Sequence, residues 1–195
     1  MLQARLVLAS ASPRRQELLR EAGYRFDVRP ADIDESIYPT ALTPGELAVY
    51  LAGQKAAAVA SRAGDEVVLA ADTVVALAGH VFGKPADRED ARLMLARLSG
   101  TTHLVLTGVM VVRRSTGFSR SRLVESSVRM RPLSASEIDA YLDSNNWQGK
   151  AGSYGIQDHD PFVTRITGSL TNIVGLPMDE TRELLAAAGI LAEKT

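Results

Sequence analysis

The chain of 195 residues is 46% hydrophobic and carries 22 basic against 23 acidic side chains, a formal net charge of −1. That is ample material for a core, so one domain over residues 1–195, or two tightly joined lobes, is expected. Balanced charge excludes broad electrostatic binding of nucleic acid or membrane, and the absence of cysteine excludes disulfides, thiolate metal centres and cysteine nucleophiles.

The opening "MLQARLVLASAS" imitates a secretory leader, but its apolar core "LVLA" is far below the roughly 7–15 residues such a leader needs. The longest apolar stretch, "VVLAADTVVALAGHVF", contains Asp72 and is shorter than the ~20 residues that span a bilayer. A soluble cytoplasmic protein is expected. "RLVLAS" (5–10) reads as a short buried strand. "ASASPRR" then starts a helix, with Ser12 as N-cap and Pro13 at the first helical position, running to about Ala22 and closed by Gly23. Arg14 and Arg15 follow at once, although a helix N-terminus is already partly positive. Each lies four residues before a leucine, Leu18 or Leu19, so both continue the apolar stripe over the strand end. With the hydroxyls of Ser10 and Ser12 and the free amides of a helix start, they form a candidate polyphosphate cradle. The plain alternative is pairing with nearby acids such as Glu17.

"YRFDVRP" alternates like an edge strand, and "DIDE" then brings Asp32, Asp34 and Glu35 together. Such oxygen-only groups suit Mg²⁺ or Mn²⁺, or form a solvated acidic loop. "LTPGELAVYLAGQKAAAVASRAG" is a long helix capped at Thr43 and ending near Gly64. Leu47, Leu51 and Val59 share one side of it, and Lys55 occupies the missing step. That lysine reaches a buried anion or snorkels outward, and snorkelling is the expected outcome. "EVVLAADTVVAL" reads as two apolar runs, with Asp72 and Thr73 between them. Asp72, at the C-terminal end of a central strand, needs a partner if buried. Sites form beyond the carboxyl ends of strands, so Asp72 is a candidate general base or metal ligand, with a turn cap as the plain alternative.

"GHVFGKP" (79–85) has three residues between its glycines and Pro85 after Lys84, which rules out a P-loop and leaves Lys84 on a rigid turn. "DREDARLMLARLSG" is an amphipathic helix, and "THLVLTGVMVVRR" with "SRLVESSVRMRPL" forms a hairpin-like strand pair. "SASEIDAYLDS" has capping-box spacing from Ser134 to Glu137, "FVTRI" reads as a strand, and "PMDETRELLAAAGI" is a final helix. The order of elements predicts α/β architecture with a mixed sheet. His80, His103 and His159 show no metal-ligand spacing, "DHD" (158–160) reads as an exposed turn, and no G-x-S-x-G elbow is present.

"LASASPRRQELL", "DIDE", "AADTVV", "FGKP", "GKAGSYGIQ" and "TNIVGLP" occur in the order seen in the Maf-like nucleoside triphosphate pyrophosphatases, once described as septum-formation inhibitors. The chain resembles that family from about Arg5 to Ile190. The resemblance implies a two-lobed α/β fold like that of the inosine triphosphatases, with a mixed, strongly curved sheet and a cleft between the lobes. It implies a divalent cation, Mg²⁺ or Mn²⁺, and conversion of a nucleoside triphosphate to monophosphate plus pyrophosphate. Asp72 is then the proton acceptor, while Arg14, Thr73 and Gln157 sit at positions linked to substrate choice. Ser10, Arg15, Glu35, Lys55 and Lys84 fall on further active-site positions. In this reading Lys55 and Lys84 complete the positive cradle, and Glu35 is a metal ligand with Asp72 or a second carboxylate. A cytoplasmic homodimer is also implied.

"YGIQ" goes with the family's dTTP and UTP branch, whereas the 7-methyl-GTP branch has a glutamate at the position of Gln157. The following "DHDP" (158–161) departs from the family's glycine and small or apolar continuation, and so bears on the wall beside Gln157. Three functions stand at this point: a dTTP/UTP pyrophosphatase, a 7-methyl-GTP pyrophosphatase, or a non-enzymatic nucleotide-binding regulator of cell division.

Overall fold

The computed structural model describes residues 4–157 and 162–193. The chain runs β1 (Leu6–Leu8), α1 (Pro13–Glu21), β2 (Phe26–Val28), α2 (Pro44–Ala60), β3 (Val67–Leu77), β4 (His80–Phe82), α3 (Arg88–Leu98) and β5 (Thr102–Arg113). It continues through β6 (Phe118–Met130), α4 (Ala135–Asp143), β7 (Val163–Thr167), α5 (Leu170–Val174) and α6 (Met178–Ala187). The strands make one sheet in the order β2-β1-β3-β5-β6-β7, with β4 also on β3. β1 lies parallel to β2 and β3, and the other pairings are antiparallel, so the sheet is mixed as expected.

Local sequence explains most of these boundaries. The Thr43–Glu46 and Ser134–Glu137 capping boxes both form, each satisfying orphan amides at a helix start. Ser12 occupies the N-cap of α1 and Pro13 follows it, but the Ser12 hydroxyl makes no capping bond. The segment read as two runs about Asp72 is instead one unbroken strand, β3, with Asp72 in its middle rather than at its end. The charge did not break the strand because a buried cation meets it, as described below. "GHVFGKP" likewise contains a strand: Ala78 (φ 49°) and Gly79 (φ 83°) make a tight turn of the kind that suits strand twist, and β4 folds back on β3. Three residues were too few to show a strand pattern.

The apolar core falls into parts along the long strands. Leu6, Leu8, Leu19, Val67, Leu69, Val109, Val111 and α6 form one cluster. Val75, Phe82, Leu95, Leu98, Val105, Leu142 and Trp147 form another. Val67, Leu69 and Ala71 of β3 serve the first and Val75 the second, so β3 and β5 pass through both. α2 covers the opposite face of the sheet. It lies almost on the backbone of β5, where a Cβ at Gly108 would come within 2.4 Å of the Ala48 carbonyl oxygen.

One opening remains in the sheet. β1 pairs with β3 only as far as Leu69, and β4 takes up the same edge only from Val75. Between them that edge of β3 has no neighbouring strand, and Asp72 and Thr73 lie in the opening.

Candidate active site

Successive residues of a strand face opposite ways, so Asp72 and Thr73 serve two different networks. Asp72 points to the α2 side and is 5% exposed. The Nζ of Lys55, itself 5% exposed, donates to Asp72 Oδ1 and lies 3.1 Å from Glu35 Oε1. Glu35 also takes Lys84, whose Nζ is 3.2 Å from both its carboxylate oxygens. Four charges of alternating sign therefore run Asp72, Lys55, Glu35, Lys84. Lys55 does not snorkel as expected: the apolar stripe of α2 aims it at an interior carboxylate, and pairing offsets the cost of burial. Burial pushes the Glu35 carboxyl up, but Lys55 and Lys84 outweigh it and hold it below the usual carboxylate range. Of "DIDE", only Glu35 joins this chain; Asp32 is exposed, and Asp34 is exposed and accepts from Ser36.

Thr73 faces the other way. Its hydroxyl meets Arg15 Nη2 at 3.1 Å and Thr107 Oγ1 at 2.9 Å. Arg15 also donates from Nε to the Gly175 carbonyl at 2.7 Å and from Nη1 to Ser10 Oγ at 3.1 Å. No carboxylate lies within ion-pair distance of Arg15 among the described residues, so pairing with Glu17 is not the reason for this arginine. Burial lowers the Arg15 pKa from its ordinary value, Asp72 opposes that, and Arg14 adds to it. Three of its five N–H groups are engaged, leaving one on each terminal nitrogen. Ser10 accepts from Arg15 and from the Ser12 amide, so its own proton is left to give. Arg14 reaches across to the Gly149 carbonyl at 3.5 Å.

All nine residues singled out from the sequence, Ser10, Arg14, Arg15, Glu35, Lys55, Asp72, Thr73, Lys84 and Gln157, line one cleft of about 590 Å³. A family model described as "Maf-like protein" matches residues 5–188. The chain belongs to the Maf-like family. A "dTTP/UTP pyrophosphatase" of Anaeromyxobacter sp. (strain Fw109-5) is 49% identical over 193 residues, covering 95% of this chain and 90% of that one. A protein of the same name from Cereibacter sphaeroides is 48% identical over 187 residues and 95% of both chains. A solved structure of a nucleoside-triphosphatase / dITP/XTP pyrophosphatase from Mycobacterium abscessus covers 95% of both chains at 14% identity and TM-score 0.44.

In this Maf-like protein no group of three or more His, Asp or Glu side chains is gathered for a metal among the described residues. Two carboxylates are available, Asp72 and Glu35. That donor set fits Mg²⁺ or Mn²⁺, which is commonly held by one or two carboxylates with water and substrate phosphate as the rest. The Lys55 ammonium touching both carboxylates shows that they favour a cation between them. Among the described residues no helix is long and apolar enough to cross a membrane.

The cleft also holds groups that the sequence reading left unassigned. Lys150 is 8% exposed and Tyr154 5% exposed, and both line the cleft. Their signal was present in "GKAGSYGIQ", a lysine and an aromatic among glycines. The Gly175 carbonyl that anchors Arg15 left no signal, since a backbone oxygen has no side-chain signature. His103 is buried, and His80 is exposed at the start of β4. "DHDP" lies outside the described residues.

Proposed function

We propose that this Maf-like protein hydrolyses dTTP and UTP to the monophosphate plus pyrophosphate. The observation that carries the reading is Asp72: a buried carboxylate at the opening in β3, tied to a chain of lysines and facing the cleft that holds Arg14 and Arg15. The names and close identity of the relatives support the same reaction.

The triphosphate lies over the start of α1, where Arg14, the two remaining N–H groups of Arg15 and the Ser10 hydroxyl meet its oxygens. This answers why two arginines follow Pro13: the anion they need is the substrate. Asp72 orients a water and takes its proton as the water attacks the α-phosphorus. The α–β bridging oxygen leaves with pyrophosphate, and Lys84 neutralises charge developing on that group. Lys55 holds Asp72 through Oδ1, which fixes the carboxylate while it waits for the water. Glu35 and Asp72 would hold a divalent cation, Mg²⁺ or Mn²⁺, which would supply Lewis-acid neutralisation of the phosphates. Thr73 acts on Arg15 by fixing one of its terminal nitrogens.

Gln157, exposed on the cleft lining, offers an N–H₂ donor and a C=O acceptor together. The imide edge of uracil or thymine offers the complementary N–H and carbonyl; cytosine presents the reverse pattern, an N–H₂ beside a ring-nitrogen acceptor, so an amide held one way round tells the two apart. The same reading carries a cytoplasmic, homodimeric enzyme, and sedimentation of the purified chain tests the dimer. The deciding experiment is product analysis with UTP and Mg²⁺. UMP plus pyrophosphate is expected. UDP plus phosphate overturns the site of attack, faster turnover of 7-methyl-GTP overturns the base assignment, and no turnover of any triphosphate favours a binding regulator.

A further inference from the structure

His103 stands apart from the catalytic cluster, yet it is joined to the cleft. It lies on β5, is 2% exposed, and its Nε2 is 2.7 Å from the hydroxyl of Tyr154. The rings meet edge to face, with centroids 5.4 Å apart. On the far side, His103 Nδ1 is 3.4 Å from Thr101 Oγ1, and that hydroxyl gives its proton to the Leu98 carbonyl at 2.7 Å. With the Thr101 proton committed, Nδ1 carries the imidazole proton and Nε2 is left as acceptor. The direction of the chain follows: Tyr154 donates to His103, His103 to Thr101, and Thr101 to Leu98.

Tyr154 belongs to the segment that walls the cleft opposite α1. That segment is held in an unusual shape. Gly152 (φ 67°) and Ser153 (φ 66°) both lie in the left-handed region, and Ser153 is fully buried. A Cβ at Gly152 would meet Val75 at 3.1 Å and Tyr154 at 3.2 Å. The Gly152 amide donates to the Gly83 carbonyl at 3.0 Å, next to Lys84. Strained backbone of this kind persists only where surrounding contacts over-determine it. The buried His103–Tyr154 bond is such a contact, and Gln157 follows Tyr154 by three residues.

We propose that His103 is a positioning residue for nucleotide selection: through Tyr154 it fixes the wall that carries Gln157, without touching substrate. The inference rests on the proposed pyrophosphatase reading. It places discrimination between bases under the control of a residue in the core of the opposite strand.

The test compares wild type with Tyr154→Phe, His103→Leu and His103→Gln, assayed with UTP and CTP well below each variant's melting temperature. Tyr154→Phe and His103→Leu should raise KM for UTP about 3–10-fold, the span of one lost hydrogen bond, with kcat within about twofold. The preference for UTP over CTP should fall by a similar factor. His103→Gln keeps an acceptor at the place of Nε2 and should restore both values. A lowered melting temperature with unchanged KM and unchanged preference would overturn the inference and leave the pair as core packing alone. A parallel fall in kcat for both nucleotides, or no rescue by glutamine, would overturn it too. If wild type turns over no triphosphate, it is the proposed function that fails; the positioning inference is overturned by the outcomes above, each read against an active wild type.

Discussion

Replacing Lys55 with methionine removes the ammonium but keeps most of the apolar stem that packs along α2. The side chains of Lys55 and Asp72 are each 7% exposed, so the variant leaves a buried carboxylate without its cation. Breaking such a pair from one side costs about 3–5 kcal/mol. The Glu35 contact adds little, because its carboxylate is 38% exposed and keeps Lys84, and half-exposed pairs contribute only about 0–1 kcal/mol. A domain of this size loses roughly 2–4 °C in Tm per kcal/mol, so the melt should fall by about 6–20 °C. The double variant Lys55→Met with Asp72→Asn removes both charges and should recover most of that loss. Mn²⁺ should raise the melt of Lys55→Met more than that of wild type, since the two carboxylates then lack their resident cation. Thermal melts of the three proteins, with and without Mn²⁺, are the assay. A single variant within about 1 kcal/mol of wild type, or a double variant no better than the single, would refute the buried-pair reasoning.

Asp72→Asn should fold and bind nucleotide, yet lose turnover by about 10²–10⁴-fold in a steady-state assay, the usual worth of general-base catalysis. Arg15→Ala should lower stability by about 1–3 kcal/mol, because the Gly175 carbonyl and two hydroxyls lose a charged donor; a raised melt would mean that repulsion at the α1 N-terminus dominates. Burial lowers the His103 pKa from 6.5 to about 4, so the unfolded chain binds the extra proton first and stability, intact above about pH 6.5, should be lost as pH falls toward 4. That loss is worth about 3 kcal/mol, and His103→Gln should flatten the pH dependence of the melt in this window. Gly108→Ala should cost about 1–3 kcal/mol by overpacking and also reduce turnover, because the backbone of α2 must move and α2 carries Lys55; unchanged turnover would show that the helix yields without moving the lysine.

Much of this arrangement was legible in the chain. The capping boxes at Thr43 and Ser134 are local, so spacing alone announced them. The mixed sheet followed from the order of elements. Lys55 shows the limit. A helical wheel placed it on the apolar side, but its partners lie 17 residues ahead and 20 behind, and no periodicity reports a contact made across space. The same blindness split β3 in two, since an aspartate reads as a strand end until its counter-charge is known. Arg15 was seen to leave bulk water, but its acceptors come from β1's end, β3 and the α5–α6 turn, which only the fold brings together.

The continuity of β3 and β5 has a mechanical consequence. They pair at nine successive positions, from Val68–Val112 to Ala76–Leu104, straight beneath the cleft. A hinge needs a place where few bonds cross, and this ribbon offers none between the two core clusters. Opening for substrate entry and product exit therefore falls to the rim at residues 29–42, which contains no strand or helix, since the facing wall is held through Tyr154. Amide exchange should be slowest in the middle of β5, which has a strand on either side, and fastest along residues 29–42. The molecule works as a stiff floor with one yielding wall, so Asp72 and Thr73 keep their register while traffic passes beside them.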